Sequence, residues 1–229
     1  MRSFIKTPYL VIALFISSMG YIISCSHDDE IISTNGAKIQ RGTDIIKLAD
    51  GWSYDKTHSN VMWETAYIGS GALLTGRFNS FGMTSFSFDE ANPANTSFEA
   101  WVYLNTVNTG EPGRDGGCLL GTFGTAAGKT NELENIAKIK SKSIELSTTD
   151  KGYIVKCDLT FHGVTKEVTA KLSYTGTTTF PAGYAGATAL TLAGFSLEFQ
   201  IFSKTDFGIV SNNIADKVGI KCNAELKKS

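Results

Sequence analysis

From Tyr54 onward, apolar and polar residues alternate along the chain. Val61, Trp63 and Thr65 face one way, and Asn60, Glu64 and Ala66 face the other. Phe98, Ala100, Val102 and Leu104 alternate with Glu99, Trp101, Tyr103 and Asn105. The same rhythm returns in Tyr153, Val155, Cys157, Leu159 and Phe161, and again in Val218, Ile220, Cys222, Ala224 and Leu226. A period of two turns successive side chains to opposite faces, so these runs predict antiparallel strands with one apolar face. Further strands fit 70–78, 84–89, 165–174 and 190–202. Gly69-Ser70-Gly71, Asn79-Ser80, Asn92-Pro93-Ala94-Asn95, Asp150-Lys151-Gly152 and His162-Gly163 read as turns between them. The last two make a meander of 137–174. About eight strands around one apolar face predict an all-β fold, a closed barrel or a sandwich.

The exception is the glycine-rich segment from Gly110 to Asn135. It is too long for a hairpin loop and lacks alternation, which points to a functional lid or a short helical insert. Thr130 or Asn131 could cap a brief helix there.

The first residues carry a different pattern. Arg2 and Lys6 precede an almost unbroken apolar run from Tyr9 to Ile23, short for a membrane span and suited to a signal peptide. It ends in Ile22-Ile23-Ser24-Cys25, which resembles a bacterial lipobox, so 1–24 is expected to be removed and Cys25 lipidated. The following Ser26-His27-Asp28-Asp29-Glu30 is similar to the acidic export signal of Bacteroidota surface lipoproteins, and reads equally as a solvated linker. Residues 25–50 form a flexible tether and 51–229 one folded domain. The expected location is the outer membrane, with the periplasmic or the surface face left open.

Composition narrows the function. The chain of 229 residues is 42% hydrophobic with formal net charge −1, so it can build a core and has no global charge to attract nucleic acid. Beyond Cys25, the cysteines Cys118, Cys157 and Cys222 show no metal-type spacing. Cys157 and Cys222 lie on apolar faces, as buried thiols or, alternatively, as a 157–222 bridge.

Five motifs stand in order along the chain: Tyr54-Asp55 with His58-Ser59, Gly76-Arg77-Phe78, Arg114-Asp115, Phe161-His162-Gly163-Val164-Thr165-Lys166 and Asp206-Phe207-Gly208. In order and spacing they resemble the YceI-like family of exported polyisoprenoid-binding proteins. The similarity runs from about Trp52 to the end. Gly117, Cys118, Glu167 and Lys204 depart from the family pattern, which puts the head-group end of a ligand site in doubt. The resemblance implies an eight-stranded lipocalin-like barrel whose lumen takes an isoprenoid chain or another amphiphilic lipid. Trp63, Phe78, Phe98, Val102, Leu104, Leu159 and Phe161 are the expected lumen residues; packing against one another is their alternative role. Arg114 could meet a polar head group with Asp115 orienting it, or the two could form a local ion pair. Family analogy allows a dimer.

Catalytic chemistry is not expected. Gly124 to Gly128 encloses three residues where a phosphate-binding loop needs four. His27, His58 and His162 include no helical pair, so neither a metal nor a cofactor is expected. His58 and Ser59 are strand neighbours pointing to opposite faces, which argues against a nucleophile pair. His58 is expected to hold a backbone carbonyl or close the barrel end. The alternative function is an interaction module with a packed core that docks protein or glycan through its long loop.

Overall fold

A computed structural model describes residues 46–47, 51–89, 91–123, 135–149, 152–183 and 188–228. The proposed leader, Cys25, Gly124–Thr130 and the expected cap at Thr130 or Asn131 lie outside them. The strands are β1 (Ile46–Lys47), β2 (Trp52–Tyr67), β3 (Leu73–Phe78), β4 (Phe81–Ser87), β5 (Ser97–Tyr103) and β6 (Val107–Asn108). There follow β7 (Ile136–Leu146), β8 (Tyr153–Phe161), β9 (Val164–Phe180), β10 (Leu190–Phe202) and β11 (Ile214–Lys228). Ile46 and Lys47, expected within the tether, pair with Tyr54 and Ser53 of β2.

All pairings are antiparallel, and they form a closed cycle. β3 and β4 are two halves of one ribbon bent at Asn79-Ser80: β3 pairs with β2, and β4 pairs with β5. β5 and β6 are likewise one ribbon, interrupted by the turn Leu104–Thr106, and β6 returns to pair with β3. From β5 the ladder runs through β7, β8, β9, β10 and β11 back to β2. Counted as ribbons, with β1 lying outside the ring, this is an eight-membered up-and-down barrel; among the described residues β4 pairs with β5 alone, which leaves its other side without a ladder. The bends raise the strand count above the expected eight.

The alternation does what it predicted: Trp63, Val155, Cys157, Val218 and Leu226 lie almost fully buried in a single core. Turn chemistry also holds. His162 and Gly163 both take positive φ, 49° and 75°, as a two-residue hairpin twisted with its strands requires.

Candidate functional site

One end of the barrel is sealed by an insert of short helical turns, Pro112–Arg114, Asp115–Leu119 and Leu120–Phe123. Glu111 starts it, its carboxylate accepting from the amides of Gly113 and Arg114, with Pro112 in the first turn. Leu119 and Phe123 are buried, and the Phe123 ring lies 4.9 Å from Trp63 and 5.9 Å from Phe78 between centroids. His162 Nε2 donates to the Phe123 carbonyl at 2.7 Å, tying the insert to the β8–β9 hairpin. Gly76 completes this packing. It sits opposite Trp63 in the register, and a Cβ there would lie 2.5 Å from the indole.

Toward the other end lies a cavity of about 80 Å³, lined chiefly by Phe81, Met83, Phe86, Phe98, Leu172 and Phe195. Over it Trp52, Phe86, Phe88, Tyr174 and Phe195 make a chain of mostly edge-on ring contacts, 5.0–6.3 Å between centroids. Polar atoms on the wall are few. Asn223 Nδ2 donates to Asn60 Oδ1, whereas buried Thr96 Oγ1 has no partner among the described residues. Burial pushes the Tyr54 hydroxyl well above its ordinary value and the Cys222 thiol up to about 12, so both stay neutral. Cys157, also pushed up to about 12 by burial, and Cys222 are free thiols. Among the described residues no lysine or arginine lines the wall, but Lys56 Nζ stands 5.7 Å over the Phe81 ring and Lys228 Nζ 5.9 Å over Trp52.

Of the residues expected to line a lumen, Phe98 lines this cavity. Trp63, Phe78, Leu104, Leu159 and Phe161 are buried in the core outside its wall, and half-buried Val102 is also outside it. Arg114 and Asp115 belong to the insert and do not line the cavity; the buried Asp115 carboxylate accepts from the Thr109 amide and hydroxyl. Of the two roles expected of His58, the backbone carbonyl is not its partner among the described residues: its Nδ1 lies 3.2 Å from carboxylates of both Asp55 and Glu225. Residues 56–59 bulge out of β2 opposite Ala224, a departure that a strict period of two does not show.

Residues 52–226 match the YceI-like domain. The chain belongs to that family. Among relatives of this YceI-like protein, a UPF0312 protein of Vibrio parahaemolyticus is 33% identical over 148 residues, covering 61% of this chain and 72% of the relative. A UPF0312 protein of Shewanella denitrificans is 28% identical over 166 residues, 69% of this chain and 78% of the relative. Burkholderia cenocepacia BcnA shares the fold with a TM-score of 0.54 at 18% identity, over 73% of this chain and 95% of BcnA.

The motifs that carry the YceI-like resemblance prove to be structural devices. Asp55-x-x-His58-Ser59 forms the bulge, Gly76 seats Trp63, and Asp115 orders the insert. Gly208, at φ 71°, ends the helical turn Ser203–Phe207, whose Phe207 ring packs 5.3 Å from Phe161. Of the motif residues, Tyr54 lines the cavity; the others described lie outside its wall. Phe86, Thr96 and Phe195 were absent from the expected site, and their inward phase was the only available signal.

Proposed function

We propose that this protein holds the apolar part of an amphiphilic lipid, such as an isoprenoid, inside the barrel for carriage or sequestration in the envelope. The observation that carries this is the apolar cavity containing the unpartnered Thr96 hydroxyl. Hydrocarbon gains about 0.8 kcal/mol per buried methylene there, and an unmade buried hydrogen bond costs on the order of 1–3 kcal/mol. A ligand that is mostly hydrocarbon with one hydrogen-bonding group answers both. Family membership is consistent with this role.

The cavity is about half the size of an apolar cavity that admits benzene, on the order of 150 Å³. A long chain therefore enters by displacing rings of the wall such as Phe86 and Phe195, against which half-buried Phe88 packs. The same small volume favours the second reading, a packed module that binds protein or glycan on its surface. Solvent extraction of the full chain purified from membranes, followed by mass spectrometry, separates the two. Stoichiometric lipid is expected; repeated absence of lipid, with no uptake of added isoprenoid alcohol, overturns the lipid-binding role.

The lipobox-like Ile22-Ile23-Ser24-Cys25 supports cleavage before Cys25 and anchoring by lipid on that cysteine. With Ile46 already paired to β2, a flexible linker of the roughly 20 residues between it and Cys25 would reach about 22–27 Å root-mean-square, keeping the barrel near a bilayer that supplies or receives its cargo. Metabolic labelling with a fatty-acid probe tests the anchor: loss of label in Cys25→Ala supports it, and retained label overturns it. Protease shaving of intact cells separates a surface position from a periplasmic one.

A further inference from the structure

We infer that Asp55, His58 and Glu225 form a binding site for a zinc-class divalent cation on the outer wall of the barrel. His58 Nδ1 is 3.2 Å from Asp55 Oδ2 and 3.2 Å from Glu225 Oε1, and the three ligand atoms lie within 4.8 Å of one another. One ring nitrogen carries at most one proton, yet two carboxylate oxygens converge on it. A metal ion at that point would serve all three atoms. With bonds of about 2.0–2.1 Å, neighbouring ligands of a tetrahedral ion stand about 3.3 Å apart, which both His58 edges match. Imidazole nitrogen with two carboxylates selects zinc-class ions over calcium or magnesium, which take oxygen. His58 is largely exposed, leaving room for a water as fourth ligand.

The site is also held from behind. Asp55 Oδ1 accepts from the Thr57 amide at 2.9 Å, which turns Oδ2 toward His58. Ser59 Oγ donates to the Asp55 carbonyl at 2.6 Å and accepts from the Glu225 amide at 3.0 Å, so one hydroxyl spaces the two carboxylate-bearing backbones. Such outer partners are what orient metal ligands. Lys227 Nζ, 3.9 Å from Asp55 Oδ2, is a loose cationic neighbour that the ion displaces. A bound ion would fasten the bulge of β2 to β11.

The test is calorimetric titration of the full mature chain, in detergent and stripped with chelator, using zinc chloride. One saturable zinc per chain is expected, with affinity falling about 100-fold in His58→Ala and about 10-fold in Glu225→Gln. At a hundred-fold excess over Kd, zinc is expected to raise the melting temperature by about 5–10 °C in the unsubstituted protein only. If His58→Ala does not fold, Glu225→Gln alone decides, because its change is isosteric and lies at a half-exposed position. Zinc that binds both variants as it binds the parent chain sits elsewhere and overturns the site, as does a parent chain that takes up none.

Discussion

At the barrel end beneath the helical insert, Trp63, Phe78 and Phe123 lie ring against ring, and Leu119 and Val218 are fully enclosed. Toward the opposite end, Phe81, Phe86, Phe98 and Phe195 border a cavity. Both regions draw on inward-facing residues of β2 and β11, Trp63 and Val218 at the first and Val61 and Leu226 at the second. What separates them is a plug. The insert brings two large side chains into one end, while among the described residues the other end is covered by rings from its own strands and from Phe88 beyond β4. Close packing makes the first region stiff, and a void with few wall contacts makes the second adaptable.

The largest expected effect lies at the plugged end. Trp63→Ala should cost about 3–5 kcal/mol in urea denaturation, whereas Phe98→Ala should fall at the low end of that range or below, because the cavity wall can collapse. Equal costs would mean that the two ends are packed alike. Next in size, Gly76→Ala should destabilise by about 1–3 kcal/mol, since its Cβ would meet the indole at 2.5 Å and the Asn108 carbonyl at 2.9 Å. A neutral result would show that Trp63 has room to move.

At the cavity end, Ala100→Leu adds bulk to the cavity wall. Stability should change by no more than about 1 kcal/mol while lipid recovery falls about 10-fold, read from the extracted lipid per protein. Unchanged recovery would place the lipid outside this cavity. The smallest effect should come from Asp216→Asn at the plugged end. The Thr205 hydroxyl and the amides of Lys204 and Thr205 hold the Asp216 carboxyl below its ordinary 3.8. A depressed carboxyl stabilises the fold above its unfolded value and loses that contribution as pH falls through the lower folded value. Thermal melts should therefore show a slight deficit in the variant at neutral pH that closes at strongly acid pH; a constant deficit would assign the effect to something other than ionisation.

The frame of the molecule was legible in its residues. Alternation in 153–161 and 218–226 placed Val155, Cys157, Val218 and Leu226 inside, and His162-Gly163 announced its turn. The bends were less visible, because Asn79-Ser80 reads as an ordinary hairpin turn although the ribbons on either side pair with different neighbours. The insert falls in the glycine-rich segment that breaks the alternation, and its start carries its own signal in Glu111-Pro112; the expected cap at Thr130 or Asn131 lies outside the described residues. The cavity was the least legible. Period two reports that Phe98 and Trp63 both face inward, but a void depends on what the opposite wall supplies, and no single strand carries that information. Glu225 and His58 likewise meet only because four residues of β2 stand opposite one of β11.

The ladder between β2 and β11 has a consequence for how the molecule is made. It joins Trp52 to Lys228, positions 228 − 52 = 176 apart, and no shorter-range pairing can substitute for it. Loops of that span close late, and folds dominated by them assemble slowly. Until residues 214–228 arrive, β2 presents an unpaired edge to any neighbouring chain. For a polypeptide that emerges from its N-terminus, as from the ribosome, most of the domain must therefore wait, exposed to chaperones and to proteases, before the ring can shut.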